Sequence, residues 1–417
     1  TNPMRDLIIS GLDRPAELER LYRKNKAEFR LNFSSVYDEF QERPIVQFWH
    51  ERLNYESPDI SWGTGKDLKL VLVLSIIAGI MAKLPDIFSI DEEFFYTRNV
   101  GFLVFPFLTF FFAWRNKLSV TNLVIASSIT AFSLLYINLL PADPQSDTLL
   151  LACIHLPLLL WMVLGISFTG NQIDNYRKRL EFLSFNGELL VMCAMLVLAG
   201  IILTAVTLGL FELIGLQIAD FYFRYIVIFA LPAVPVLATY LVRTNPNLVN
   251  KVSPVIARIF SPVVLIMLII YLGAIIYSGK DPYTDRDFLL LFNILLLGVM
   301  ALIFFSVAEG WKEERLGSNR YILLPLSMVT IVLNGIALSA IIFRISEWGF
   351  TPNRLAVLGG NLLILVHLLI VTFNLYRCSR HKIDIAVVGS SIVKYLPVYF
   401  LWALVMIFLF PLIFSFE

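Results

Sequence analysis

From Asp67 to the last residues, long apolar runs alternate with short polar loops. Crossing the hydrocarbon core of a bilayer takes about 20 apolar residues, fewer where neighbouring helices thin the membrane. Eleven such spans are predicted, at 68–84, 100–114, 120–140, 148–168, 187–215, 222–242, 256–278, 287–308, 321–343, 355–376 and 395–415. Composition agrees. Charged residues make up 16% of the 417, against about 25% in a soluble domain. Mean hydropathy is +0.76. Disorder, collagen, coiled coil and a disulfide-stapled secreted fold are excluded. In lipid, every backbone polar group must be satisfied within the protein, so these runs predict helices. The expected fold is all-α: a polytopic membrane helix bundle of about eleven transmembrane helices.

Residues 1–66 are different in kind. They carry roughly a third of the charged side chains and form no apolar run of membrane length. They show no cleaved-signal pattern. Asp13 is placed to cap a helix with Pro15 in its first turn. Leu18, Leu21, Tyr22 and Phe29 recur at near-helical spacing. A second amphipathic stretch holds Ile45, Phe48, Trp49 and Leu53. The reading is a small cytoplasmic helical cap at 1–66, then a hinge at Ser57-Pro58 and Gly63-Thr64-Gly65, then a transmembrane bundle at 67–417.

Loop charge orients the bundle. With the amino terminus inside, every loop after an even-numbered span carries at least as many Lys and Arg as any loop after an odd-numbered one. The positive-inside bias therefore predicts a cytoplasmic amino terminus, an extracytoplasmic Glu417, and a cytoplasmic loop at Arg177-Lys178-Arg179. Trp62, Trp114, Trp311 and Trp348 fall at span edges, as an interfacial aromatic belt requires. A bacterial inner membrane is the expected location.

Several local runs carry a resemblance. They are Glu17-Leu18-Glu19-Arg20-Leu21-Tyr22-Arg23, Phe48-Trp49-His50-Glu51-Arg52-Leu53, Trp348-Gly349-Phe350-Thr351-Pro352-Asn353-Arg354 and Gly359-Gly360-Asn361. Together they resemble a bacterial family of multi-pass membrane proteins, domain of unknown function four-one-five-three. The resemblance implies a polytopic inner-membrane protein and no particular reaction, substrate or cofactor.

No phosphate-binding loop, zinc-protease, serine-hydrolase or diphosphate motif appears, and Cys153, Cys193 and Cys378 are too far apart for a CxxC site. The four histidines are too scattered to suggest a metal centre. No catalytic residue, metal or cofactor is assigned, and the motif search leans against an enzyme. Two polar sets remain. An extracytoplasmic cluster comprises Asp281, Asp285, Asp287, Glu347 and Arg354. Thr351 is its expected helix cap, with Pro352 first in the helix. Arg354 then lies in the first turn, where the helix dipole disfavours a cation, so a carboxylate, Asp287 or Glu347, is expected beside it. The second set lies within spans: Asn293, Asn334, His367 and Asn374, with Glu188 read as a first-turn acid. Gly360, His367 and Asn374 are seven apart and share a stripe. These groups either tie helices together or line a path for protons or solute. Pro232 and Pro235 should kink the sixth span.

The leading functional expectation is a transporter-like or permease-like protein for a small solute, ion or lipid. A non-transporting scaffold or regulatory subunit acting through residues 1–66 is the alternative, and a membrane-embedded transferase the third. The expected partners are the lipid bilayer and a protein partner or second copy engaging residues 1–66, with no nucleic acid.

Overall fold

The computed structural model describes the whole chain except residues 1–2, 25–28, 30–31, 34–35, 38, 55–64, 142, 144, 214–215, 246–251, 279–282, 284–285, 313–319 and 417. The predicted hinge falls almost entirely within 55–64, outside the described residues. Every regular element among the described residues is helical. The chain divides into two compact units, Thr1–Ser61 and Trp62–Glu417.

The first unit holds α1 (Pro3–Ser10), α2 (Pro15–Lys24) and α3 (Pro44–Asn54). Its core is Ile8, Leu12, Leu18, Phe29, Val46 and Trp49, all buried. The helical spacing of α3 selects Val46, Trp49 and Leu53 for that core and leaves Phe48 outside, 58% exposed. Pro15 opens α2, but Asp13 does not cap it. The Asp13 carboxylate pairs instead with Arg43 at 3.2 Å, tying the α1–α2 turn to the start of α3. Glu19 lies between Arg23 and Arg52, 2.8 Å from each. Those two cations hold its carboxyl below the usual carboxylate range, the Arg23 hydrogen bond contributing most.

The second unit begins with α4 (Gly65–Ala82), α5 (Leu84–Phe88) and α6 (Glu92–Asn99). A 3₁₀ turn, Val100–Leu103, leads into α7 (Phe105–Arg115). Then follow α8 (Val120–Leu139), α9 (Asp147–Thr169) and α10 (Tyr176–Leu213). A helical turn at Ala219–Phe221 and a π-helical stretch, Tyr222–Val227, open α11 (Ile228–Thr244). The rest are α12 (Val252–Ser278), α13 (Arg286–Lys312), α14 (Arg320–Trp348), α15 (Pro352–Ser379) and α16 (Ile385–Leu404). A second π-helical stretch, Val405–Leu409, precedes α17 (Phe410–Ile413).

Nine helices among the described residues are long and apolar enough to cross a membrane, and each coincides with a predicted span. The two other predicted spans fall on α4 and α12. Helix α11 runs unbroken through Pro232 and Pro235, and its irregular backbone is the π-helical stretch before them. The two largest apolar clusters among the described residues carry most of the bundle's core. One joins α13 to α16 with α10 and α12, around Phe292, Ile303, Leu333 and Leu368. The other joins α4, α7, α9, α10 and α11 around Phe111, Phe112, Phe168 and Phe185.

Candidate functional site

Among the described residues, the polar side chains that the sequence singles out inside the bundle fall into two gatherings. The first is where α10 meets α13. Helix α10 begins at Tyr176, so Arg177, Lys178 and Arg179 form its first turn rather than a loop. Lys178 pairs with Glu181 at 2.7 Å and Arg179 donates to the Ile173 carbonyl at 2.6 Å. Glu188 is therefore well inside a continuous helix and is no first-turn acid. The sequence is misleading here because Asn186-Gly187 looks like a break. Gly187 has another reason to be glycine: a Cβ there would stand 2.0 Å from the Phe305 ring of α13. The bare Cα lets the two helices approach.

That approach brings two acids together. Glu188 is 7% exposed and Glu309 of α13 is 3% exposed. Between them Ser184, fully buried, donates to Glu309 and lies 3.4 Å from Glu188. A hydroxyl has one proton, so Ser184 serves one carboxylate at a time. Arg243 of α11 is within electrostatic reach of Glu188 and Glu181. One turn before Glu309, Ser306 and Ser261 of α12 share a hydrogen bond at 3.2 Å. Next to Gly187, Asn186 accepts from the Trp161 indole at 2.9 Å and so ties α10 to α9. Sequence reasoning found Glu188 and missed Glu309, which falls one residue past the predicted span 287–308.

The second gathering involves α13, α14, α15 and α16. Asn361 of α15 donates to the Asn293 side chain at 2.8 Å, and Asn334 of α14 donates to the Asn361 carbonyl at 3.2 Å. The missed Asn361 thus links two predicted residues. His367, fully buried, holds the Tyr399 hydroxyl at 3.0 Å through Nδ1. Its ring stacks on Tyr395 at 4.4 Å and meets Phe304 at 4.6 Å. Tyr399 lies 3.5 Å from the Met300 sulfur. Asn334 and His367 lie near the middle of α14 and α15, which places this set about halfway along the bundle. Asn374, two turns past His367, is half-buried.

Of the set Asp281, Asp285, Asp287, Glu347 and Arg354, only the Glu347 and Arg354 side chains are described, and they do not pair with each other. Asp281 and Asp285 lie outside the described residues, as does the Asp287 side chain. Thr351 caps α15, its hydroxyl accepting from Arg354 N at 3.3 Å, with Pro352 opening the helix. Arg354 makes no ion pair among the described residues, with the exposed Glu347 or any other acid. Its Nη1 donates to the carbonyls of Trp348 and Gly349, both at 2.7 Å, and the guanidinium lies over the Trp348 ring. The negative end of the α14 dipole takes the cation that the start of α15 disfavours.

Elsewhere, an open polar cleft is lined by Asp86, Ser89, Asp91, Glu92 and Arg224. Asp86 bonds to Lys83 and Arg224, which hold its carboxyl below the usual range, Lys83 first. Among the described residues no group of three or more His, Cys, Asp or Glu could hold a metal ion. Compared with protein families, curated proteins and solved structures, the chain matches none.

Proposed function

We propose that this multi-pass membrane protein is transporter-like, moving a small solute, ion or lipid with Glu188 and Glu309 handling the coupling cation. The single observation that carries the reading is the buried set Glu188–Ser184–Glu309 shared between α10 and α13. Ionisable side chains inside a membrane are costly, and those that persist there commonly serve ion or proton pathways. In this reading a proton or small cation exchanges at the two carboxyl groups and Ser184 orients them. The proposal includes eleven crossings, with α4 and α12 counted, residues 1–66 on the cytoplasmic side of a bacterial inner membrane, and Glu417 outside. The likeness to the four-one-five-three family belongs to the same proposal.

The test uses purified protein in vesicles loaded with a pH-sensitive dye, under a potassium potential set with valinomycin. Wild type should dissipate the potential by proton entry, and Glu188→Gln and Glu309→Gln should each reduce that flux at least tenfold. Undiminished flux in both variants would remove the acid pair from the mechanism. No flux above empty vesicles favours the second reading, a scaffold or regulatory subunit. That reading draws support from Asn293, Asn361 and Asn334, whose hydrogen bonds to one another are what helix-tying groups make.

A further inference from the structure

Arg115 ends α7 and Arg243 is the last residue but one of α11. The two residues are neighbours: Arg115 Nη2 lies 3.5 Å from the Arg243 backbone carbonyl oxygen and is positioned to donate to it, and the two side-chain charges are within electrostatic reach of each other. Arg243 lies over the rings of Phe112 and Phe168, 5.7 and 5.2 Å from their centroids. Arg115 lies over Phe111 at 5.9 Å. Neither arginine forms a salt bridge among the described residues. Two acids act on Arg243 at longer range, Glu188 and Glu181, and Glu181 is bonded to Lys178.

The floor beneath the pair is fixed. Asn116 donates from its side chain to the carbonyls of Ser167 and Phe168, at 3.0 and 2.8 Å, pinning the end of α7 to the end of α9. Phe112, Phe168 and Phe185 pack ring against ring. Beside the arginines, Phe110 and Trp114 stand one turn apart on α7, 51% and 43% exposed. Trp114 is the kind of residue that sits at headgroup depth, and Phe110 continues an apolar surface below it. Two guanidinium charges within electrostatic reach repel, and an anion near both relieves that repulsion. The planar fork of arginine suits phosphate oxygens, and basic pockets between membrane helices hold anionic headgroups.

We propose that Arg115 and Arg243 form a binding site for the phosphate of an anionic phospholipid, with its acyl chains along Phe110 and Trp114. The alternative is that both arginines only offset the negative ends of α7 and α11. Full-length protein in detergent separates the two. Thermal unfolding and native mass spectrometry are run with phosphatidylglycerol, phosphatidylcholine or inorganic phosphate. Phosphatidylglycerol should raise the unfolding temperature and remain bound, and the other two should do neither. The double variant Arg115→Gln/Arg243→Gln should lose the phosphatidylglycerol response, while Arg377→Gln, altering a cation at another helix end, should keep it. If the double variant does not fold, the exposed Arg115→Gln alone should retain at least threefold less phosphatidylglycerol. Equal response to both lipids, an unchanged response in the arginine variants, or an equal shift with inorganic phosphate would each overturn the proposal.

Discussion

The Asn334 side-chain amide of α14 donates to the backbone carbonyl of Asn361 on α15, and the Asn361 side chain passes the link to Asn293 of α13. One residue thus connects three helices. Replacing Asn361 by Leu leaves Asn334 its carbonyl acceptor but strands the Asn293 oxygen. The loss should be about 1 kcal/mol, typical of an interhelical hydrogen bond in lipid. Reversible unfolding in mixed micelles measures it, and an unchanged midpoint would show that the Asn293 link contributes nothing.

Gly187→Ala tests the α10–α13 contact. A methyl group there meets the Phe305 ring, so ring or helix must shift, at a cost of about 1–3 kcal/mol. Because Glu188 follows directly, the same change should lower any flux that depends on the acid pair. Pairing it with Phe305→Ala should restore part of the stability. A double variant no better than Gly187→Ala would place the strain elsewhere.

Arg354 should matter through carbonyls rather than carboxylates. Arg354→Gln removes the donor to Trp348 and Gly349 and should speed amide exchange at the α14–α15 turn, while Glu347→Gln should leave it unchanged. Exchange mass spectrometry resolves that peptide. A matching response in both variants would restore an ionic pairing.

Glu19 gives the first unit an acid-sensitive contact. Its pKa is held below 4.5 in the folded protein, so folding gains stability while the carboxylate is charged. That gain is complete above the unfolded value and is lost as pH falls through the folded one. Glu19→Gln should therefore increase exchange in α2 and α3 at pH 7 relative to wild type, with the difference shrinking as pH falls below the ordinary carboxylate value and through the lowered folded one. A difference that does not shrink on acidification would point to lost packing instead.

Topology is tested with single cysteines at Lys117 and Gln145, both exposed and on opposite sides of α8. In a background with Cys153, Cys193 and Cys378 replaced by Ala, an impermeant thiol reagent should label only Gln145→Cys in intact cells. Equal labelling would refute the proposed orientation.

Hydropathy placed the helices because each span is long and its apolar content uninterrupted, and the Thr351-Pro352 start was legible because a cap is local chemistry. The acid pair was only half legible. Glu188 stands out in an apolar run, but Glu309 sits among Trp311, Lys312, Glu313 and Glu314 and reads as loop. Its burial depends on how far α13 extends and on which helix packs there. Asn361 was hidden for a related reason. The i, i+7 stripe through Gly360 and His367 drew attention to one face, whereas the neighbouring position faces Asn293. Arg354 was misread because the dipole of its own helix was weighed without that of the helix before it.

Helix α10 is one unbroken rod of 38 residues, about 57 Å long at 1.5 Å per residue. Gly187, where the Phe305 ring of α13 presses against it, divides it unequally, with about 17 Å on the basic side and about 39 Å on the side that stands largely clear of other helices. A stiff rod that rocks where it is pinched is a lever. A tilt at Gly187 sweeps the long arm through more than twice the distance travelled by Arg177 and Lys178. A small displacement at Glu188, about 1.5 Å along the axis from that fulcrum, would thereby become a much larger movement at the end of the long arm.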